Sequence, residues 1–178
     1  QTFVNNNNDW NSQRKRSSRD QKPVTLEDVL KLGTVLDEDQ IYEIVSERMT
    51  SFEKYDLIRL REVLDEDQLN ELIMEKWGAE INFDLQELIS LCQEGVIYED
   101  TLFELAMDLV DCVDDLFELS AFLDDDQIAE LAEEIGLSID EIIDLASQID
   151  GDYVVDLVRD CGDVTVDDLI KLASVIDS

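Results

Sequence analysis

From Val24 onward, apolar residues recur three and four positions apart in short bursts, and each burst is closed by a polar turn. Leu26, Val29, Leu30 and Gly33 fall at i, i+3, i+4 and i+7, the period of one face of an α-helix. After a break at "VLDEDQ", residues 35–40, Ile41, Ile44, Val45 and the Arg48–Met49 pair repeat the stripe. The pattern predicts two short helices joined by an acidic turn. "VLDEDQ" stands again at 63–68, and a relaxed form, "FLDDDQ", at 122–127. Aligned on these turns, units begin at Val24, Thr50, Ala79, Asp111 and Leu137, with a half unit from Asp163, a period of about 26 to 30 residues. The third unit is degenerate, with Gln93, Glu94 and Gly95 in place of the acidic turn. The predicted fold is all-α: stacked helical hairpins, α-solenoid-like, about five and a half repeats filling 24–178 as one domain.

The repeated turn reads first as a helix start. An Asp just before a helix accepts hydrogen bonds from free N–H groups of the first turn, while a Gln three residues on reaches back to the cap's own N–H. Asp37 with Gln40, Asp65 with Gln68 and Asp124 with Gln127 have that spacing. Thr101 with Glu104, Ser138 with Glu141 and Asp115 with Glu118 read the same way. The acids between, such as Glu38 and Asp39, sit where the helix dipole favours negative charge.

Composition adds limits. Of 178 residues 44% are apolar, enough for a core, and one proline and six glycines leave few helix breaks. No stretch has the length of an apolar membrane span, and the Asn-rich start is no secretory signal, so a soluble, cytoplasmic protein is expected. Residues 1–23 lack a period and end at the only proline, which predicts a disordered arm. With no histidine and with Cys92, Cys112 and Cys161 scattered, neither a zinc site nor a Glu-x-x-His di-iron centre is available, and the cysteines read as small core residues. No cofactor or metal is expected.

Charge changes the picture most. The formal net charge is −33. The arm holds Arg14, Lys15, Arg16, Arg19 and Lys22 against Asp9 and Asp20, a net of +3, so the rest carries −36. From Trp77 to Val158, 82 residues contain 24 acids and no Lys or Arg. Capping does not account for the remaining acids: the exposed faces hold Glu130, Glu133, Glu134, Asp140 and Asp144, beside the capping Glu141, with no basic partner four residues on. Self-repulsion of this kind opposes a compact state.

Three readings of function follow. In the first, the body stands in for a nucleic acid. Duplex DNA carries one charge per about 1.7 Å, so 36 charges match roughly 60 Å of duplex, close to the length of the expected helical stack. With "LDEDQ", "LDDDQ" and the base-free stretch as its marks, the chain resembles the acidic helical DNA-mimic proteins of viruses and mobile elements. The resemblance implies a non-catalytic inhibitor, in a host cytoplasm, whose partner is a basic nucleic-acid-binding protein; the body itself would not bind DNA. The densest carboxylates are the candidate contacts: Asp114, Asp115, Glu118, Asp124, Asp125, Asp126, Glu130, Glu133, Glu134, Asp140, Glu141 and Asp144. The second reading is an acidic scaffold or chaperone for basic proteins. The third is a helical adaptor with Tyr42, Trp77, Tyr98 and Phe117 lining a groove, although their helical spacing favours a place in the core. Enzymatic readings are weak. "DDLFE" at 114–118 has the magnesium-binding pattern of isoprenoid synthases without a base nearby to hold a diphosphate, and "DGDYVVD" at 150–156 lacks the spacing of a calcium loop.

Overall fold

The computed structural model describes residues 22–50, 53–77 and 82–177. The basic arm expected over 1–23 lies outside them as far as residue 21. Its last residues are tied to the body: Arg48 Nη2 donates to the Lys22 carbonyl at 3.0 Å, and the Val24 N–H donates to the Arg48 carbonyl at 3.1 Å.

All regular structure among the described residues is helical: α1 Leu26–Leu32, α2 Glu38–Arg48, α3 Lys54–Leu60, α4 Glu66–Leu72, α5 Leu85–Gln93, α6 Glu99–Ala106, α7 Val113–Leu119, α8 Asp125–Ile135, α9 Ile139–Leu145, α10 Gly151–Asp160 and α11 Val166–Ile176. α4 runs on into a π-helical turn, Ile73–Trp77. Helices this short are marginal alone and persist because each buries one stripe. They pack in a bundle- or solenoid-like arrangement that falls into two compact units, one ending at Gln68 and one beginning at Leu69.

In the first unit, α1 packs on α2 and on α3 around Val29, Ile41, Val45, Leu57 and Leu60, all buried. Gly33 ends α1 against the turn after α3; a Cβ there would lie 2.3 Å from Val63 Cγ1, so the close approach depends on having no side chain.

In the second unit, consecutive helices pair: α5 with α6, α7 with α8, α9 with α10. Odd-numbered helices also lie side by side, α7 on α9 and α9 on α11, as do α8 and α10. Leu88, Leu91, Leu102, Leu116, Leu119, Ile128, Leu131, Ile142, Leu145, Val154 and Leu157 form the buried interior. Each such side chain contributes about 1.5 to 3 kcal/mol. α8 stops where Gly136 takes φ 68°, the left-handed cap that only glycine enters freely.

Candidate functional site

The acidic turns are helix starts, as their spacing predicts. Asp37, Asp65 and Asp124 each accept from the N–H of the Gln three residues on, at 2.8 to 2.9 Å, and that Gln returns its Oε1 to the Asp N–H. Ser138 and Glu141 form the same box, and the bonds from Ser138 hold the Glu141 carboxyl below its ordinary range. Further boxes at Thr25–Asp28, Asp84–Glu87 and Thr165–Asp168 escaped the sequence reading, because no repeated hexapeptide marks them.

Two expected starts are displaced. α6 begins at Glu99 with Tyr98 as its cap, so Thr101 is a buried third-position residue and starts nothing. α7 begins at Val113, and Asp115 reaches back from its first turn to the Asp111 N–H at 3.2 Å.

The motif has a second role that spacing alone did not reveal. The Gln Nε2, left over from capping, donates to a first-turn acid about one repeat earlier: Gln68 to Asp39 at 3.0 Å, and Gln127 to Asp100 at 3.1 Å. In α10 the Asp150 N–H takes this part, donating to Asp125 at 2.9 Å. At α6, Thr101 is too short to reach back, and Asn70 of α4 supplies the missing groups. Its Oδ1 accepts from the Tyr98 N–H at 2.9 Å, and its Nδ2 donates to the Val96 carbonyl at 3.1 Å. This explains why an amide is buried at a position that Phe103 and Ala129 occupy in α6 and α8.

Running on from the first turn, the even-numbered helices share an acidic stripe, of which Asp39 and Asp100 take part in the bonds just given. The second helical residue and those four and eight further on are Asp39, Glu43 and Glu47 in α2; Asp67, Glu71 and Glu75 in and after α4; Asp100, Glu104 and Asp108 in and after α6; Asp126, Glu130 and Glu134 in α8; and Asp152, Asp156 and Asp160 in α10. All of them are acidic and all are exposed. Four residues of helix advance about 6 Å along the axis, so each stripe is a row of charges at that spacing. In the second unit the three stripes repeat at 26 residues, and the α6–α8 and α8–α10 bonds above join their helices. One cation set against the stripes is Arg159, which pairs with Asp156 at 3.2 Å, both exposed. The corresponding pairs on odd-numbered helices are mixed: Glu27 and Lys31, Tyr55 and Arg59, Gln86 and Ser90, Asp114 and Glu118, Asp140 and Asp144, Asp167 and Lys171.

The candidate carboxylates divide accordingly. Asp126, Glu130, Glu133 and Glu134 share the exposed side of α8, and Asp114, Asp140 and Asp144 lie exposed on α7 and α9; none has a hydrogen bond or ion pair from its carboxylate to another described residue. Asp124 is a cap, and half-buried Asp115, Asp125 and Glu141 accept the backbone bonds already given. Glu118 accepts from Gln86 of α5. Glu104, Asp108, Asp152, Asp156 and Asp160 were absent from the candidate set; reading the aligned repeats four residues at a time would have found them. Partial desolvation, then Asp126, Asp124, Asp125 and Asp150, holds the Tyr153 hydroxyl above the ordinary tyrosine range, a measure of the crowding where α10 meets the start of α8.

A hollow of about 140 Å³ adjoins the α6 stripe, with Phe83, Leu88, Leu105 and Leu109 inside and Asn82, Glu104 and Asp108 among its lining. An apolar recess beside two carboxylates suits a lysine or arginine, whose stem is apolar and whose head is cationic. The three cysteines are free and half-buried, not core residues, and burial followed by the Glu99 carboxylate pushes the Cys92 thiol up. Asp111, Cys112 and Asp115 bring ligand atoms within 4.8 Å of one another, but Asp115 is engaged by the Asp111 N–H. Of the aromatic residues, Tyr42 and Phe117 are half-buried and Tyr98 is exposed, contrary to the expected core position; the Trp77 side chain lies outside what is described. No helix among the described residues is long and apolar enough to cross a membrane. No protein-family model, curated protein or solved structure matches the chain.

Proposed function

We propose that this is a non-catalytic protein whose acidic face binds a basic, nucleic-acid-handling protein in place of DNA or RNA, and so inhibits it. In this reading the eleven helices are five and a half hairpins repeating about every 26 to 30 residues, and the repetition serves to copy one row of charges many times. The observation that carries the reading is the stripe: three acids, four residues apart, exposed on every even-numbered helix, with no base at any of these positions. Charges about 6 Å apart along a row offer a basic groove the kind of regular negative ladder a phosphate backbone presents. Apart from Asp39 and Asp100, which accept from Gln68 and Gln127, helices of this kind do without them, since odd-numbered helices carry Lys31, Arg59 and Lys171 at the matching place.

The test uses the full chain as bait in a lysate, eluted by a salt gradient, with excess duplex DNA as competitor. The expected result is a DNA-handling enzyme that salt releases and duplex displaces, and whose retention drops when Asp126, Glu130 and Glu134 become Asn, Gln and Gln. Retention that is indifferent to salt refutes the electrostatic account. Capture of basic chains that duplex does not displace favours the scaffold or chaperone instead.

A further inference from the structure

The α6 stripe differs from its neighbours in what lies under it. The residue after the second stripe acid is Leu72 in α4, Leu131 in α8 and Leu157 in α10, exposed by 0%, 1% and 5%. In α6 it is Leu105, which is only half-buried. The shorter helix accounts for this. α8 has eleven residues and α10 ten, whereas α6 stops after eight at Ala106, where the Leu109 and Val110 N–H groups turn back to the Ala106 carbonyl at 2.9 and 3.0 Å. That turn leaves Leu109 39% exposed, and Leu105, Leu109 and the start of α5 line the hollow of about 140 Å³. Phe83 precedes the cap Asp84, and Leu88 is the fourth residue of α5, the two positions of a hydrophobic staple. The apolar wall is thus part of the way α5 begins.

Size and charge select the occupant. An apolar cavity of about 150 Å³ takes up one benzene, so this hollow has room for a single side chain and not for a helix. Its lining includes Glu104 and Asp108 and no base, and neither carboxylate has a hydrogen bond or ion pair to another described residue. A guanidinium carries five donors on a planar fork, enough to engage both acids, and its flat face suits an aromatic ring such as Phe83; an ammonium is a compact, strongly hydrated point charge. We infer that the hollow seats one arginine side chain of the partner, with Phe83, Leu105 and Leu109 around its stem and Glu104 and Asp108 at its guanidinium. The inference rests on the proposed function for the partner that carries the arginine, and it adds a point on the acidic face where shape as well as charge is read.

The test is a titration of the full chain with Nα-acetylarginine methylamide, followed by the leucine methyl resonances in salt that screens the open carboxylate rows. The expected result is saturable shifts at Leu88, Leu105 and Leu109. Glu104→Gln with Asp108→Asn should weaken binding at least about tenfold, as loss of charge-assisted hydrogen bonds implies. Both side chains are exposed and keep their shape, so helix content should not change. Glu130→Gln with Glu134→Gln, beside buried Leu131, should leave binding as it was. The citrulline analogue, equal in shape and uncharged, should not bind, and the lysine analogue should bind more weakly. In the lysate capture, the Glu104 and Asp108 variant should release the partner at lower salt than the Glu130 and Glu134 variant does. Shifts that do not saturate or that spread over every stripe, binding that survives loss of the two carboxylates, a lysine or citrulline probe as tight as the arginine one, or equal release of the partner overturns the inference. A lysate capture that retains nothing overturns the proposed function, while the titration still decides the hollow.

Discussion

Gln127 offers the sharpest test of how the repeated motif works, because its two ends have different partners. Oε1 accepts from the Asp124 N–H at 3.2 Å, and Nε2 donates to Asp100 Oδ1 at 3.1 Å. Gln127→Glu keeps the capping acceptor and turns the second contact into two facing carboxylates. The lost hydrogen bond is worth about 1 kcal/mol net. Two unit charges about 4 Å apart repel by about another 1 kcal/mol in water, the relevant medium for these solvated side chains. The expected loss is therefore about 2 kcal/mol, or about 4 to 8 °C in the thermal midpoint for a chain of this size. The assay is a double-mutant cycle with Asp100→Asn, followed by urea denaturation at low and high salt. With Asp100→Asn the substituted side chain faces an amide donor, so the loss from Gln127→Glu should shrink to below about 0.5 kcal/mol. Salt should remove the repulsive half of the loss and leave the other half. A Gln127→Glu variant as stable as the parent, or one whose loss is the same beside Asp100→Asn, refutes the link between neighbouring repeats.

Other consequences are as direct. Asn70→Leu should cost about 2 to 4 kcal/mol in urea denaturation despite restoring an apolar side chain, because it strands the Tyr98 N–H and the Val96 carbonyl; a loss below about 1 kcal/mol would mean water replaces the amide. Gly33→Ala should cost about 1 to 3 kcal/mol through its clash with Val63, and Val63→Ala should recover most of it; no recovery in the double variant would locate the strain elsewhere. Tyr153 should titrate above the ordinary tyrosine value of about 10 by ultraviolet absorbance. Its protonated form is the one favoured in the fold, so its contribution to stability is whole below the unfolded value and is lost as pH rises toward the folded one. Asp126→Asn should bring the midpoint back down, and an unmoved midpoint would remove Asp126 as a cause.

Helix placement was legible because each unit pairs an apolar stripe with a strong start signal, and Asp37, Asp65, Asp124 and Ser138 cap where their spacing says. The degenerate third unit was misread at Thr101 because a side-chain cap was sought locally. The polar group that serves Tyr98 comes from Asn70, 28 residues away, and no local pattern marks such a contact. The carboxylate stripes were legible in principle and missed in practice. Asp100, Glu104 and Asp108 are unremarkable in one helix, and only superposing the even-numbered helices separates acids that start helices from acids that recur along an exposed face. The dense cluster at Asp124, Asp125 and Asp126 drew attention by composition, yet Asp124 is a cap and Asp125 is bonded to the cap of α10.

That separation bears on what the acidity is for. If the stripe served stability, reversing one charge within it should weaken α8. Helix physics says the opposite for Glu130→Lys, which would set a cation four residues after Asp126 and four before Glu134. Each opposite-charge pair at that spacing contributes about 0.2 to 0.5 kcal/mol and replaces a repulsion of similar size, so the variant should gain about 1 kcal/mol. The chain already uses this arrangement elsewhere, in Glu27 with Lys31 and Asp167 with Lys171. Under the proposed function the same change places a positive charge in the middle of the binding row, and capture of a basic partner should weaken. Denaturation of Glu130→Lys and its retention in the salt-gradient assay therefore move in opposite directions if the stripe is a binding surface. A variant that loses stability makes the stripe part of the fold, and one that gains stability and binds unchanged removes α8 from the interface.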